Sequence, residues 1–364
     1  MHLRANLDGL DHGHFPRETS IGPTRPLGLS IHDSFYMKTR RTLRRYSFFP
    51  GLCSIGASLG LCLAWPAVLK AASSRPPNVV FILTDNQGAW HGSSTLKPGS
   101  FQGHPGGLAW YDKAPNMGPR PVEPNDKSRM VAERERIKEL VPPAVYMVHG
   151  KIGNSSSFIV CDTSKRKFGP FQKQIFVADQ CFSNISRVFL EEVNGIKQGV
   201  VFPFLQGFKS GLLAGRMNEN GQLLVGGSDR GWGSKGGKRF CFDRVDWTGK
   251  VPFEVLEMRA KPDGFELTFT EAVDPATSGN PASYKTRAFT YIYQSEYGSP
   301  EVDEVVSQIT KAVVGADNKS VRLTFDKLTK GHVHELHLDG VKSTTGLPVL
   351  HPSAYYTLNE IPAK

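Results

Sequence analysis

Three apolar runs in this chain end on an aspartate and then break into a polar turn rich in glycine or serine. They are "NVVFILTDNQGAWHG" with Asp85, "QKQIFVADQCFSNISRVF" with Asp179 and "NGQLLVGGSDRGWGSKGG" with Asp229. Asp179 and Asp229 lie 50 positions apart, and Asp85 lies 94 before Asp179, close to one and two units of a common length. Repeats of roughly 40–50 residues built on short strands are the pattern of β-propeller blades. The competing account is that strand, aspartate and turn recur in any all-β chain. An aspartate at such a position is expected to cap its turn by accepting backbone N–H groups. The alternative role is calcium or substrate binding at one of the three.

The 37 glycines and 25 prolines favour short strands and turns over long helices. Beyond residue 251 the pattern changes. "GFELTFTEAVD", "SVRLTFDKLT" and "HVHELHLDGV" alternate apolar and polar residues between turn-forming stretches, as the strands of a two-sheet sandwich do. The expected fold class is therefore all-β: an incomplete β-propeller of three to four blades over residues 75–251, then an immunoglobulin-like β-sandwich over 252–364. One irregular stretch offers a helix from Asp126 to Leu140, with Asn125 or Asp126 as N-cap and Pro142-Pro143 as the stop. Its charged composition places it at the surface.

Of 44 Lys/Arg and 34 Asp/Glu, the first 75 residues hold ten and four, leaving 34 against 30 in the remainder. That balance gives no support to nucleic-acid binding. The basic cluster Lys38, Arg40, Arg41, Arg44 and Arg45 precedes an apolar run and a small-residue exit at Ala71–Ser74, the order of a signal peptide, expected over 37–72. The protein is expected to be exported, periplasmic or extracellular, with an uncleaved, membrane-associated signal as the alternative. Residues 1–36 do not fit ahead of such a signal. They are expected to be a non-native or disordered extension, the natural start being Met37. After cleavage only Cys161, Cys181 and Cys241 remain, an odd number that leaves at least one thiol free or paired between chains.

The stretches "TDNQGAWHGSSTLKPGSFQGHPGGLAWY", "KFGPFQKQIFVADQ", "SRVFLEEVNGIKQGVVFPFLQGF", "GGSDRGWGSKGG" and "RVDWTGKVPFEVLEMRAKPDGFELTFTEAVDP" resemble a family of secreted bacterial propellers. These are the PQQ-dependent sugar dehydrogenase-like proteins, also labelled sorbosone-dehydrogenase-like or membrane-bound dehydrogenase. The tail through "LTKGHVHELHLDGVKS" resembles the immunoglobulin-like module that follows such propellers. The resemblance implies a carbohydrate-associated quinoprotein-like protein with PQQ and Ca²⁺ as cofactors. Full members carry about six blades, whereas about 180 residues precede the sandwich here, so the chain resembles the C-terminal part of one behind a new export signal. An open propeller leaves sheet edges exposed, and closure by a homo-oligomer is one expected remedy.

A second resemblance covers residues 75–88. "RPPNVVFILTDNQG" is similar to the opening of sulfatases, whose paired aspartates ligate calcium; here the pair is Asp85-Asn86. Sulfatases also need Cys or Ser in a Cys-x-Pro/Ala-x-Arg frame. Cys161 in "CDTSK", Cys181 in "CFSNI" and Cys241 in "CFDRV" do not supply it, so an active sulfatase is not expected.

A quinoprotein mechanism would need a base, for which His104 in a glycine-rich loop and His91 are the candidates. Arg230, Trp232 and Lys235 are the candidate cofactor-binding residues, the cations for carboxylates and the indole for stacking. Asp85 and Asn86 are the candidate metal ligands. His332, His334 and His337 look like a metal trap, but in a strand His332 and His334 share a face while His337 points away. The alternatives to an enzyme are a non-catalytic module that binds carbohydrate or cell-surface polysaccharide, and an inactive fusion remnant.

Overall fold

The computed structural model describes residues 120, 122–138, 140–294 and 299–363, together with the backbone of 29–32 and 101–102. The candidates His91, His104, Asp85 and Asn86 and the expected signal peptide lie outside the described residues.

In chain order the elements are β1 (Leu29–His32), β2 (Phe101–Gln102), β3 (Ser128–Arg129), α1 (Met130–Arg136), β4 (Leu140–Val141), β5 (Ser156–Cys161), β6 (Ile175–Asp179), β7 (Asn184–Val193) and β8 (Ile196–Gln206). There follow β9 (Leu212–Met217), β10 (Leu223–Ser228), β11 (Phe240–Trp247), β12 (Val255–Lys261), β13 (Gly264–Phe269), α2 (Pro275–Ser278), β14 (Lys285–Tyr293), β15 (Glu301–Val305), β16 (Ile309–Val314), β17 (Ser320–Phe325), β18 (His332–His337) and β19 (Ser353–Leu358). Strand occupies 48% and helix 6%, so the fold is all-β.

The strands form several sheets, none of them closed. The largest runs β15-β14-β18-β19-β8-β7-β6-β5, with β3 beside β14. Two four-stranded antiparallel sheets run β1-β11-β10-β9 and β12-β13-β17-β16, and β2 pairs with β4 in parallel. The β7–β8 hairpin shows how locally the pairing is set. Val193 faces Ile196 across Asn194-Gly195, whose φ values of 51° and 78° are those of a primed turn. Asn-Gly is the dipeptide that enters this left-handed pair at least cost.

One face of the large sheet packs on the β12–β13–β17–β16 sheet. Phe189, Val200, Phe202, Leu336, Ala354 and Tyr356 meet Val255, Met258, Phe265, Leu267, Phe269, Val321 and Leu323 there. Its opposite face is covered by the segment Val145–Ile152, which packs on Val177, Val188, Val201, Phe289, Tyr291 and Val333. At the β5–β8 end the sheet shares a phenylalanine-rich core with β9–β11, built on Phe158, Phe168, Phe176, Phe204, Phe208, Leu223, Val225 and Val245. Arg187 in β7 is fully buried between the rings of Phe171 and Phe202, each 4.4 Å from the guanidinium. It donates to Val255 O at 2.5 Å, Leu256 O at 3.1 Å and Gln174 Oε1 at 2.5 Å, tying the large sheet to β12.

The expected division at 251/252 falls inside this arrangement: β19 pairs with β8, and residues from both sides share one core. Leu29–His32, in the stretch expected to stand outside the fold, lies antiparallel beside β11. The helix expected from Asp126 to Leu140 is shorter, Met130–Arg136, with extended Arg129 as N-cap. Ser128 and Arg129 are taken up by pairing with Tyr293 and Ile292 of β14. At the other end Ile137 turns extended and buries its side chain. Tertiary pairing at both ends overrides the local capping signal.

Candidate ligand-binding loop

Asp179 is buried at the end of β6, and its carboxylate collects three backbone donors: Asn154 N at 2.8 Å, Ser155 N at 2.6 Å and Phe182 N at 2.7 Å. Burial pushes its pKa up, against the pull of these donors. Gly153 is required beside it, because a Cβ there would stand 2.3 Å from Asp179 Oδ2. Asp229 caps its own turn, accepting from Gly231 N at 2.9 Å. Both aspartates therefore serve turns, as their position after a strand implies. Asp85 lies outside the described residues.

The turn that Asp179 organises supports a second loop, residues 229–239, joining β10 to β11. Gln180 Nε2 donates to Ser228 O and Gly233 O, Lys235 N to Cys181 O at 2.9 Å, and Gly236 N to Ser183 Oγ at 3.0 Å. Lys238 is held by both its backbone groups, its N–H on Lys209 O and its carbonyl accepting from Ser210 Oγ. Gly236 admits this close approach, since a Cβ would lie 2.4 Å from Phe208 O. A loop so tethered presents its side chains in fixed positions.

Those side chains are unusual for a surface. Trp232 is 68% exposed, yet its indole N–H is fixed on Gln180 Oε1 at 3.2 Å and the Arg230 guanidinium sits 4.6 Å from its ring. Phe240 and Phe242, on the outward side of β11, are 80% and 62% exposed. Phe242 pairs with Gly226, where the neighbouring strand carries no side chain and leaves open space. Single exposed apolar residues are ordinary, whereas three aromatic rings at one hairpin end call for an explanation.

The structure brings Arg230 and Trp232 together and turns Lys235 elsewhere. Lys235 Nζ lies 3.8 Å from the Phe182 ring, on the rim of a cleft of about 170 Å³ lined also by Lys151, Asn184, Gln206 and His351. That volume is below the roughly 300–1,000 Å³ of ordinary small-molecule pockets. PQQ carries several carboxylates, which cations converging on one enclosed cleft would hold; Arg230 lies on the Trp232 ring and Lys235 on the Phe182 ring, and only Lys235 lines the cleft. Among the described residues no three His, Cys, Asp or Glu side chains are grouped to hold a metal ion. The described residues therefore do not by themselves assemble a PQQ or Ca²⁺ site.

The histidines of β18 are engaged individually. His332 bonds Lys330 O and Asp303 O through its two ring nitrogens. His334 is buried against Phe265 and Phe325 with Nε2 on Thr329 O, and burial lowers its pKa to about 4. His337, on the other face, ends a relay that the sequence reading missed. Ser353 Oγ is 3.1 Å from His337 Nδ1, and His337 Nε2 is 2.8 Å from Glu335 Oε1. Lys151 and Arg287 compensate the second oxygen of Glu335 at 2.8 and 2.9 Å. Burial disfavours the Glu335 carboxylate, but these bonds and charges hold its pKa below the usual range. A carboxylate held in this way positions the imidazole of His337. The cluster fastens the Lys151 segment, β14, β18 and β19 together. The sequence signal that could have found it is the spacing of Glu335 and His337, which share a strand face.

Cys161, Cys181 and Cys241 form no disulfide among the described residues. No helix among the described residues is long and apolar enough to cross a membrane.

No protein-family model matches the chain, and no curated protein matches it. Among solved structures it is similar to the N-terminal part of the bacterial S-layer protein SbsC, at 17% identity over 31% of this chain and 25% of that one, with a TM-score of 0.22. A likeness at that score carries no argument about fold or activity.

Proposed function

We propose that this is an exported, non-catalytic carbohydrate-binding protein whose contact surface is the tethered loop between β10 and β11. The observation that carries this reading is Trp232: mostly in solvent, yet fixed by its hydrogen bond to Gln180 and by Arg230. A sugar ring presents an apolar C–H face and a polar rim. An immobilised indole with a cation and an amide beside it matches both at low entropic cost. Phe240 and Phe242 extend the apolar footprint along β11. In this reading β12–β19 form an immunoglobulin-like sandwich extended through β8 into β5–β7, and the strands from β5 to β11 derive from propeller blades. Export rests on the basic and apolar order of residues 37–72.

Isothermal titration of the full chain with soluble polysaccharides tests the proposal. Saturable binding that Trp232→Ala weakens at least about tenfold supports it. A folded protein that binds none of them refutes it. Titration with PQQ in the presence and absence of Ca²⁺ distinguishes the quinoprotein-dehydrogenase-like reading. Calcium-dependent saturation there would replace a binding module with an oxidoreductase.

A further inference from the structure

Resting on that reading, we propose that the loop selects an anionic glycan, one bearing carboxylate or sulfate groups. Residues 229–239 contain Arg230, Lys235, Lys238 and Arg239, all exposed, against one acid, Asp229. The Asp229 carboxylate is turned into its own turn by Gly231 N. None of the four cations pairs with a carboxylate among the described residues. Several arginines elsewhere are matched: Arg129 with Asp303, Arg134 with Glu360, Arg322 with Asp263, and Arg287 with Glu301, Glu304 and Glu335. Four exposed cations without a carboxylate partner thus share one loop with the exposed Trp232.

The backbone of these cations is fixed. Asp229 N donates to Arg239 O at 3.0 Å, Lys238 is held at both N–H and carbonyl, and Lys235 N is tied to Cys181 O. Arginine forks match carboxylate and sulfate oxygens in pairs, and lysine adds a point charge. The ring face and the charge together describe a sugar with an acidic substituent. Nucleic acid, the other common polyanion, is recognised by proteins making about 6–10 phosphate contacts along a basic stripe. Four cations confined to one loop, with 30 Lys/Arg against 29 Asp/Glu in the rest of residues 76–364, fall short of that.

The test titrates the full chain at low salt with a polyuronate, a sulfated galactan, neutral dextran and a single-stranded oligonucleotide. Parallel titrations use Lys238→Glu/Arg239→Glu and Trp232→Ala, with thermal melts confirming folding. The expected result is tight binding of the polyuronate or the sulfated polymer, the tighter one identifying the acidic group, and little binding of dextran. The charge-reversal variant should bind the preferred polymer at least about tenfold more weakly, and added salt should weaken the wild type similarly. Equal affinity for dextran and the acidic polymers, unmoved by charge reversal, would overturn the anionic preference while leaving carbohydrate binding in place. No glycan bound by the folded wild type would overturn both. An oligonucleotide bound more tightly than either acidic glycan would overturn the glycan assignment.

Discussion

The Glu335 cluster and the loop between β10 and β11 are both rich in charge and aromatic rings, and they dispose of them in opposite ways. Around Glu335, Lys151 and Arg287 are matched by Glu335, Glu301 and Glu304 and lie against Phe289 and, for Lys151, Tyr355. In the loop the cations have no carboxylate and the rings face water. A charge satisfied within the fold works as architecture. A fixed charge left unsatisfied, where folding alone gains nothing from it, is the better candidate for meeting a ligand. The comparison breaks if removing a loop side chain costs stability, or if removing a cluster side chain does not.

The largest effect is expected from Glu335→Ala. Taking away the buried carboxylate leaves Lys151 and Arg287 short of their shared partner, and should cost about 3 kcal/mol in chemical denaturation. A loss under about 0.5 kcal/mol, the range of ordinary surface changes, would show that the cluster fastens nothing. Glycan affinity should be unchanged in this variant, because the cluster lies outside the loop.

The next effect is a pH dependence that only the interior should show. The His334 pKa is lowered to about 4 by burial among Phe265 and Phe325. The unfolded chain therefore binds a proton between about pH 6.5 and 4 that the folded chain does not. Stability should be full above pH 6.5 and fall by roughly 2–3 kcal/mol as the pH drops to 4. His334→Leu should flatten that slope in urea melts taken at each pH. His334 is buried in the core away from the loop, so binding by the folded protein should not follow the same curve. An unchanged slope in the variant would place the acid sensitivity elsewhere.

The same contrast explains how much could be read from the chain. β13 and β17 have one buried face, and their burial alternates residue by residue as written in "GFELTF" and "SVRLTF". β18 is equally polar on paper, yet it sits inside the large sheet with five of its six residues buried. His332 and His334 therefore look like metal ligands in sequence and are buried groups in the fold. The turn aspartates were legible because capping is a local matter, visible within a few residues of Asp179 and Asp229. Arg230 and Trp232 were legible as a pair because only Gly231 separates them, which keeps them close in any loop. Lys235 was not, since its neighbour Phe182 comes from a distant turn. Ser353 and His337 meet only through the register of β18 and β19, which no short window of sequence contains. The sheet that joins β8 to β19 is likewise a long-range pairing, and it crosses the boundary that composition draws at 251.

In the loop, Trp232→Ala should reverse the pattern of Glu335→Ala. The expected loss is at least about tenfold in glycan affinity, or roughly 1.4 kcal/mol. Stability should change by at most about 1 kcal/mol, for the single hydrogen bond to Gln180. A large drop in melting temperature without a loss of binding would make Trp232 a packing residue and void the comparison.

The smallest expected effect is at Phe240 and Phe242. Both rings lie on the outward side of β11, where Cys241 and Asp243 on the alternate side face inward. Phe240→Ser and Phe242→Ser therefore remove no core contact, and each should leave stability within about 0.5 kcal/mol. If the rings only flank the Trp232 contact, each change should weaken glycan binding about two- to fivefold, as peripheral interface residues do. The double variant should also be more soluble at high concentration, since it removes most of the exposed apolar surface at that hairpin end. A loss as large as that of Trp232→Ala would move the centre of the site onto β11. No change in binding, with solubility alone improved, would confine the site to the 229–239 loop and leave the two phenylalanines as a surface on which another protein or a second copy of the chain could be sought.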